Sequence, residues 1–124
     1  MRGPTQNILI IQTAFIGDVI LATSFISLVK EKYPNSSIHF VLRDGNEGLL
    51  KNNPLVDRVW VWNKKSNKNK NLWNMIKELR NYHFEYVFTL QRFFSTGLIT
   101  LMMKANHKIA FDKNSLSIFF TKEN

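Results

Sequence analysis

The 124-residue chain contains no cysteine, which excludes disulfides and thiolate metal sites and fits a reducing compartment. It has no long apolar run. Gly17-Asp18 interrupts the first apolar stretch too early for a signal peptide or a membrane span, so the chain reads as cytoplasmic. Neither G-x-x-x-x-G-K-[ST] nor G-x-G-x-x-G occurs, which removes both common nucleotide fingerprints. No D-x-D pair is present to hold a divalent metal. His39, His83 and His107 are scattered without ligand spacing, so no metal site is expected, and His39, inside an apolar stretch, reads as structural. Acidic residues are scarce, 9 against 17 lysines and arginines, leaving a net charge of +8. That excess asks for an anionic partner: nucleic acid, acidic lipid headgroups or a phosphorylated glycolipid.

What is present is α/β patterning over one domain's length, without internal repeats. Ile8–Ile11 is a short apolar run that continues through Gln12-Thr13 into a turn holding Gly17-Asp18, and a helical pattern follows. The expected strands are 7–13, 38–42, 58–62, 86–90 and 108–111. The expected helices are 18–32, 72–82 and 96–105, with a short helical turn ending near Asn53-Pro54. Leu21, Phe25, Leu28 and Val29 share one stripe; Leu72, Met75, Ile76 and Leu79 form another. The tract from Asn63 to Asn71 reads as a solvated loop. Near-continuous apolar strands alternating with helices predict a Rossmann-like parallel sheet covered on both faces, with the first strand central. All loops that follow strands then meet on one rim. The apolar segment Leu116–Phe120 ends four residues before Asn124, a pattern that reads as interrupted, so a truncated chain is expected.

Asp18 is the sharpest chemical candidate. A carboxylate at a helix N-terminus is stabilised in its charged form, and on a ligand rim it can serve as a base. A helix cap is the simpler role for it, although Leu21 stands where a capping box wants Glu or Gln. Gln91, Arg92 and Ser95 reach the same rim as candidate ligand contacts; Ser95 also suits a cap and Arg92 a surface charge. Between Asn63 and Arg80, Lys64, Lys65, Lys68, Lys70, Lys77 and Arg80 face one acid, Glu78. With Trp60, Trp62 and Trp73 nearby, this basic region permits a nucleic-acid reading, against the simpler one of a solvated loop with tryptophans in the core. Gly45-Asn46-Glu47-Gly48 has the GxxG form of KH modules but follows a strand and carries Glu at a variable position.

Taken in order, the segments I-L-I-I-Q-T-A-F-I-G-D-V-I-L-A-T, K-Y-P-N-S-S-I-H-F-V, N-N-P-L-V-D-R-V, F-E-Y-V-F-T-L-Q with Ser95 beyond it, and H-K-I-A-F-D resemble the N-terminal half of glycosyltransferase family 9, the lipopolysaccharide heptosyltransferases. The resemblance implies a GT-B enzyme with two Rossmann-like domains facing a cleft. It implies metal-independent, inverting transfer of heptose from a nucleotide-activated donor, ADP-heptose in the family, to inner-core lipopolysaccharide, with no cofactor. Residues 1–124 would form the N-terminal, acceptor-side domain, with the C-terminal donor-binding domain absent and the chain inactive alone. Asp18 would be the general base, and Thr13 and Gly17 would shape its turn. Lys64, Lys65, Lys68 and Lys70 would face the phosphorylated acceptor, and Gln91, Arg92 and Ser95 would line its site. The implied partners are the lipopolysaccharide acceptor, the nucleotide sugar and, peripherally, the inner face of the cytoplasmic membrane; nucleic acid is not expected. Two positions depart from the family pattern: Thr89 stands where relatives usually carry Asp, and Phe94 where they often carry a basic residue. The rival reading is a small basic α/β module that grips nucleic acid or anionic lipid without catalysis. It requires the lysines and exposed aromatics to form one continuous surface.

Overall fold

A computed structural model describes residues 6–11, 16–45, 48, 50, 52–63, 65–90 and 99–111, giving the backbone alone at 16–22, 90, 110 and 111. The elements are β1 (Gln6–Ile11), α1 (Ile16–Lys32), β2 (Ser36–Arg43), β3 (Arg58–Trp62), α2 (Lys68–Leu79), β4 (Phe84–Leu90) and β5 (Ala105–Phe111). Residues 99–102 are also helical. The five strands make one sheet in the order β3-β2-β1-β4-β5, and every pairing is parallel. This is the expected sheet, with β1 at its centre.

Central position explains the composition of β1. Ile8, Leu9, Ile10 and Ile11 have no solvent exposure, because strands flank β1 and layers pack on both its faces. Ile8 and Ile10 join Phe25, Ile26 and Val29 of α1 in one core. Leu9 and Ile11 join Leu72, Met75, Ile76 and Leu79 of α2, with Ile99 and Met103, in the other. The chain runs β1 to β2 to β3 in one direction, then returns past β1 to β4 and β5. Right-handed crossovers therefore put α1 on one face, and α2 with residues 99–102 on the other.

All four inward residues expected of α2 are buried. On α1, Phe25 and Val29 are buried and Leu28 is half-buried; Ile26 joins them, and the Leu21 side chain lies outside the described set. Several expected boundaries shift: α1 starts at Ile16 and not at Asp18, α2 ends at Leu79 and not at Tyr82, and two further shifts have a local cause. The helix expected over 96–105 cannot reach Ala105, because β5 starts there and pairs with Phe84 of β4: strand pairing overrides the local helical pattern. The loop expected over 63–71 ends at Asn67, because α2 already starts at Lys68.

Short polar side chains fix the connections. The Ser36 amide and hydroxyl both donate to the Tyr33 carbonyl, at 3.1 and 2.7 Å, closing the turn after α1. A carboxylate oxygen of Asp57 accepts from the Ile38 amide at 2.7 Å, and the Asp57 amide donates to the Ile38 carbonyl at 2.9 Å. This two-way clasp sets the approach of β3 to β2. Gly45, at φ +100°, makes the turn after β2 in a conformation that L side chains rarely adopt.

Candidate functional site at the sheet's carboxyl edge

At the carboxyl edge, Ile11 of β1 lies in register with Thr89 of β4. From this pair of strands the chain departs to opposite faces. Strand order reverses here, and this is where open α/β sheets form a ligand crevice. The first turn of α1 borders it. Gly17 and Asp18 are the second and third residues of that helix, inside its first turn. Unpaired N–H groups and the positive end of the helix dipole meet at such a terminus and favour a carboxylate over a carboxylic acid. Thr13, Lys64, Gln91, Arg92 and Ser95, and the Asp18 side chain, lie outside the described set. By chain order, residues 12–15 continue from β1 and residues 91–98 from β4, the two strands that bound the crevice.

Thr89 is buried, with its hydroxyl oxygen 2.6 Å from that of Thr100. The position where the family pattern carries Asp is thus engaged between the sheet and residues 99–102.

A second charged region lies at the corner joining β3 to α2, two strands from β1 and so about 10 Å across the sheet. Its backbone is tightly held. The buried Trp62 indole donates to the Lys68 carbonyl at 3.1 Å, tying the first turn of α2 to the sheet. Asn67 adopts left-handed geometry at φ 50°, a conformation asparagine tolerates. The Asn71 side-chain amide donates back to the carbonyls of Ser66, at 2.8 Å, and Asn63, at 3.2 Å. These bonds let a helix begin inside an Asn/Lys/Ser tract. Lys68 and Lys70 are therefore exposed helical residues, whereas Lys65 precedes the helix. Lys65 is 81% exposed, with its ammonium 3.8 Å from Asp44, a pairing of little energetic weight at that exposure. An open groove of about 330 Å³, lined by Arg58, Asn63, Asn71, Asn74 and Glu78 among others, flanks this corner on its outer side, away from the crevice.

His39 is structural, as the sequence suggests. Its Nδ1 accepts from the Trp60 indole at 3.1 Å, and its ring meets Tyr82 and Phe84 edge-on. Burial, and then the nearby Arg58 guanidinium, lower its pKa below 6.5; Asp57 opposes them more weakly. Arg58 stacks on Trp60 at 4.0 Å and donates to the Tyr82 hydroxyl at 2.9 Å. Among the described residues no three His, Asp or Glu side chains converge as a metal cluster. Trp60 and Trp62 are buried and Trp73 is 44% exposed, so two of the three tryptophans invoked by the nucleic-acid reading belong to the core.

Sequence reasoning missed Asn67, Asn71 and Asp57, which set backbone geometry. Their signal is asparagine or aspartate beside a strand or helix end, where such side chains bond to the local backbone.

No family model matches the chain. It is 28% identical over 115 residues to lipopolysaccharide heptosyltransferase 1 of Campylobacter coli, covering 93% of this chain and 33% of that protein. It is 29% identical over 102 residues to lipopolysaccharide heptosyltransferase 3 of Escherichia coli, covering 79% of this chain and 30% of that protein. The chain thus spans about a third of the length of these curated relatives. Among solved structures, a glycosyl transferase of family 9 from Veillonella parvula superposes with a TM-score of 0.80 at 23% identity, covering 90% of this chain and 33% of that one. E. coli heptosyltransferase WaaC, solved with ADP, gives a TM-score of 0.74 at 16% identity, covering 92% and 40%. Over most of its length the chain is thus similar in sequence to lipopolysaccharide heptosyltransferases, and it shares the fold of a family 9 glycosyl transferase.

Proposed function

We propose that this chain is the N-terminal, acceptor-side domain of an inverting, metal-independent glycosyltransferase. The whole enzyme moves heptose from an ADP-heptose-like donor to inner-core lipopolysaccharide. The observation that carries the reading is the parallel β3-β2-β1-β4-β5 sheet with Gly17-Asp18 in the helical turn beside its strand-order reversal. The similarity to named heptosyltransferases supports the substrate class. The Asp18 carboxylate takes the proton of the acceptor hydroxyl while that oxygen attacks the anomeric carbon. The bond from that carbon to the nucleotide diphosphate breaks with its electron pair leaving on the phosphate, and the anomeric centre inverts. Thr13 and Gly17 shape the turn that holds the base. Gln91, Arg92 and Ser95 contact the acceptor, and Lys64, Lys65, Lys68 and Lys70 attract its phosphates. The donor site belongs to the remaining two thirds of a relative's length, so these 124 residues alone bind ADP weakly or not at all.

The enzyme works in the cytoplasm, at the inner face of the membrane that carries its acceptor. No helix among the described residues is long and apolar enough to cross a membrane, so the contact invoked is peripheral. The test is to complete the chain with the remainder of the Campylobacter coli relative and assay heptose transfer. Transfer that depends on Asp18 supports the reading. A folded, ADP-binding chimera with no transfer to any lipopolysaccharide core overturns it.

A further inference from the structure

Beyond Lys68 and Lys70 at its start, the outward side of α2 has no part in the proposed chemistry, yet its make-up is unusual. Lys70, Trp73 and Lys77 recur at three- and four-residue spacing opposite the buried stripe, a line about 10 Å long. Trp73 is 44% exposed, although tryptophan is normally well buried. The neighbouring helical residues pack into the same core layer through Ile99, and they too present an apolar side chain outward: Leu101 is 73% exposed. Lys108 reaches the Leu101 carbonyl at 3.1 Å, which puts a further ammonium beside it. Along the outward side of α2, Glu78 is the single acid among these groups.

We propose that this layer is a docking surface for an anionic phospholipid bilayer. Two exposed apolar side chains set among lysines match an interface where indole rings sit at headgroup depth and ammonium groups reach the phosphates. The apolar stripe of α2 is already buried against the sheet, so the helix does not insert. It lies on the surface, held by charge and by the two protruding side chains. A single-stranded nucleic acid fits less well, because stacking successive bases needs several exposed aromatic rings and Trp73 is the one exposed tryptophan here. α2 begins beside the lysines of the β3–α2 corner, so a chain docked in this way keeps that corner near the membrane surface. The inference rests on the proposed function, in which the acceptor is membrane-borne, and gives that function its orientation.

The experiment is sedimentation of the 124-residue chain with vesicles of phosphatidylglycerol and phosphatidylethanolamine, and with vesicles of phosphatidylcholine alone. Emission from Trp73 is followed in parallel, since Trp60 and Trp62 are already buried. Binding is expected to the anionic vesicles only, to weaken with salt and to shift the emission to the blue. Each basic side chain near an anionic surface contributes about fivefold in affinity, so K70Q/K77Q should bind about 25-fold more weakly while keeping its circular dichroism. W73S should lose the blue shift. Equal binding to neutral vesicles, or an unchanged K70Q/K77Q, overturns the proposal. So does tight binding to single-stranded RNA without vesicle binding. In the completed enzyme, transfer to a detergent-free soluble core oligosaccharide separates the two readings. Transfer without vesicle binding removes the docking surface and leaves the function. Vesicle binding without transfer does the reverse.

Discussion

The centre and the edge of this sheet are built on opposite terms. β1 is sealed on every side, and its four isoleucine and leucine side chains have no solvent exposure. β3, at the edge, alternates buried Trp60 and Trp62 with half-buried Val59 and exposed Val61 and leads directly into the lysine-rich corner. The centre is a buried frame, and in the proposed function it aims one turn, the Gly17-Asp18 turn beside the crevice. The edge is a carrier of charge, its backbone held by Trp62 and Asn71 so that lysines stand outward. The proposed function thereby separates chemistry from capture across about 10 Å of sheet, and each should be open to disturbance while the other is spared.

The largest expected effect is at the centre. In the chimera, Asp18→Asn preserves size and hydrogen bonding but removes the base, so kcat should fall by about 10²–10⁴-fold while the donor's affinity stays constant. Unfolding stability should fall by no more than about 1 kcal/mol, the loss of a negative charge in the first turn of α1. If steady-state assays return near-normal turnover, Asp18 is only a helix-terminal residue.

Next comes the frame itself. Ile10→Ala opens a void in the sealed core and should cost about 2–5 kcal/mol in urea unfolding. Val61→Ala at the edge should stay within about 0.5 kcal/mol, since Val61 is 42% exposed. Similar losses at both sites would abolish the contrast between frame and carrier.

At the corner, neutralising Lys64, Lys65, Lys68 and Lys70 together should raise the acceptor KM about tenfold at low salt and flatten its salt dependence, with little change in kcat. A fall in kcat alone would move these lysines out of the capture role.

The smallest effect concerns His39, in β2 between centre and edge. Its folded-state pKa lies below the unfolded value of 6.5, because burial and Arg58 disfavour its charge. The neutral ring's contribution is therefore complete above pH 6.5. It is lost as pH falls below 6.5 toward the folded-state pKa, at no more than about 1.4 kcal/mol per pH unit. Urea midpoints at pH 7.5 and 5.5 should differ for the native chain. In His39→Gln, which keeps an acceptor for the Trp60 indole, the difference should shrink.

How much of this was legible in the sequence differs between the same two regions. Continuous apolarity at Ile8–Ile11 announces a strand buried on both faces, and the stripe Leu72, Met75, Ile76 and Leu79 names the inward side of α2 correctly. Residues 58–62 were expected as a strand, and β3 has those bounds. The corner resists such reading because its order comes from single hydrogen bonds. Nothing periodic reveals that Asn71 closes back on Asn63 and Ser66, or that Trp62 holds the Lys68 carbonyl, so a helix start passes for loop. β5 gains three residues over expectation because its partner β4 templates them. The crevice was legible as a rim shared by loops, and the strand order bears that out. The roles of Asp18, Gln91 and the lysines rest on chemistry that awaits the assays above.

The strand order also carries a consequence for how the molecule comes into being. β1 is completed by β4, and Ile8 meets Tyr86 about 80 positions along the chain. α1 and β2 can assemble against β1 early, from nearby contacts. The crevice cannot, because one of its walls leaves the ribosome about 80 residues after the other. A nascent chain halted after β3 would expose one apolar edge of β1, an unpaired strand edge of the kind that seeds aggregation. Occupation of that edge by β4 is thus the event that both protects the chain and creates its site.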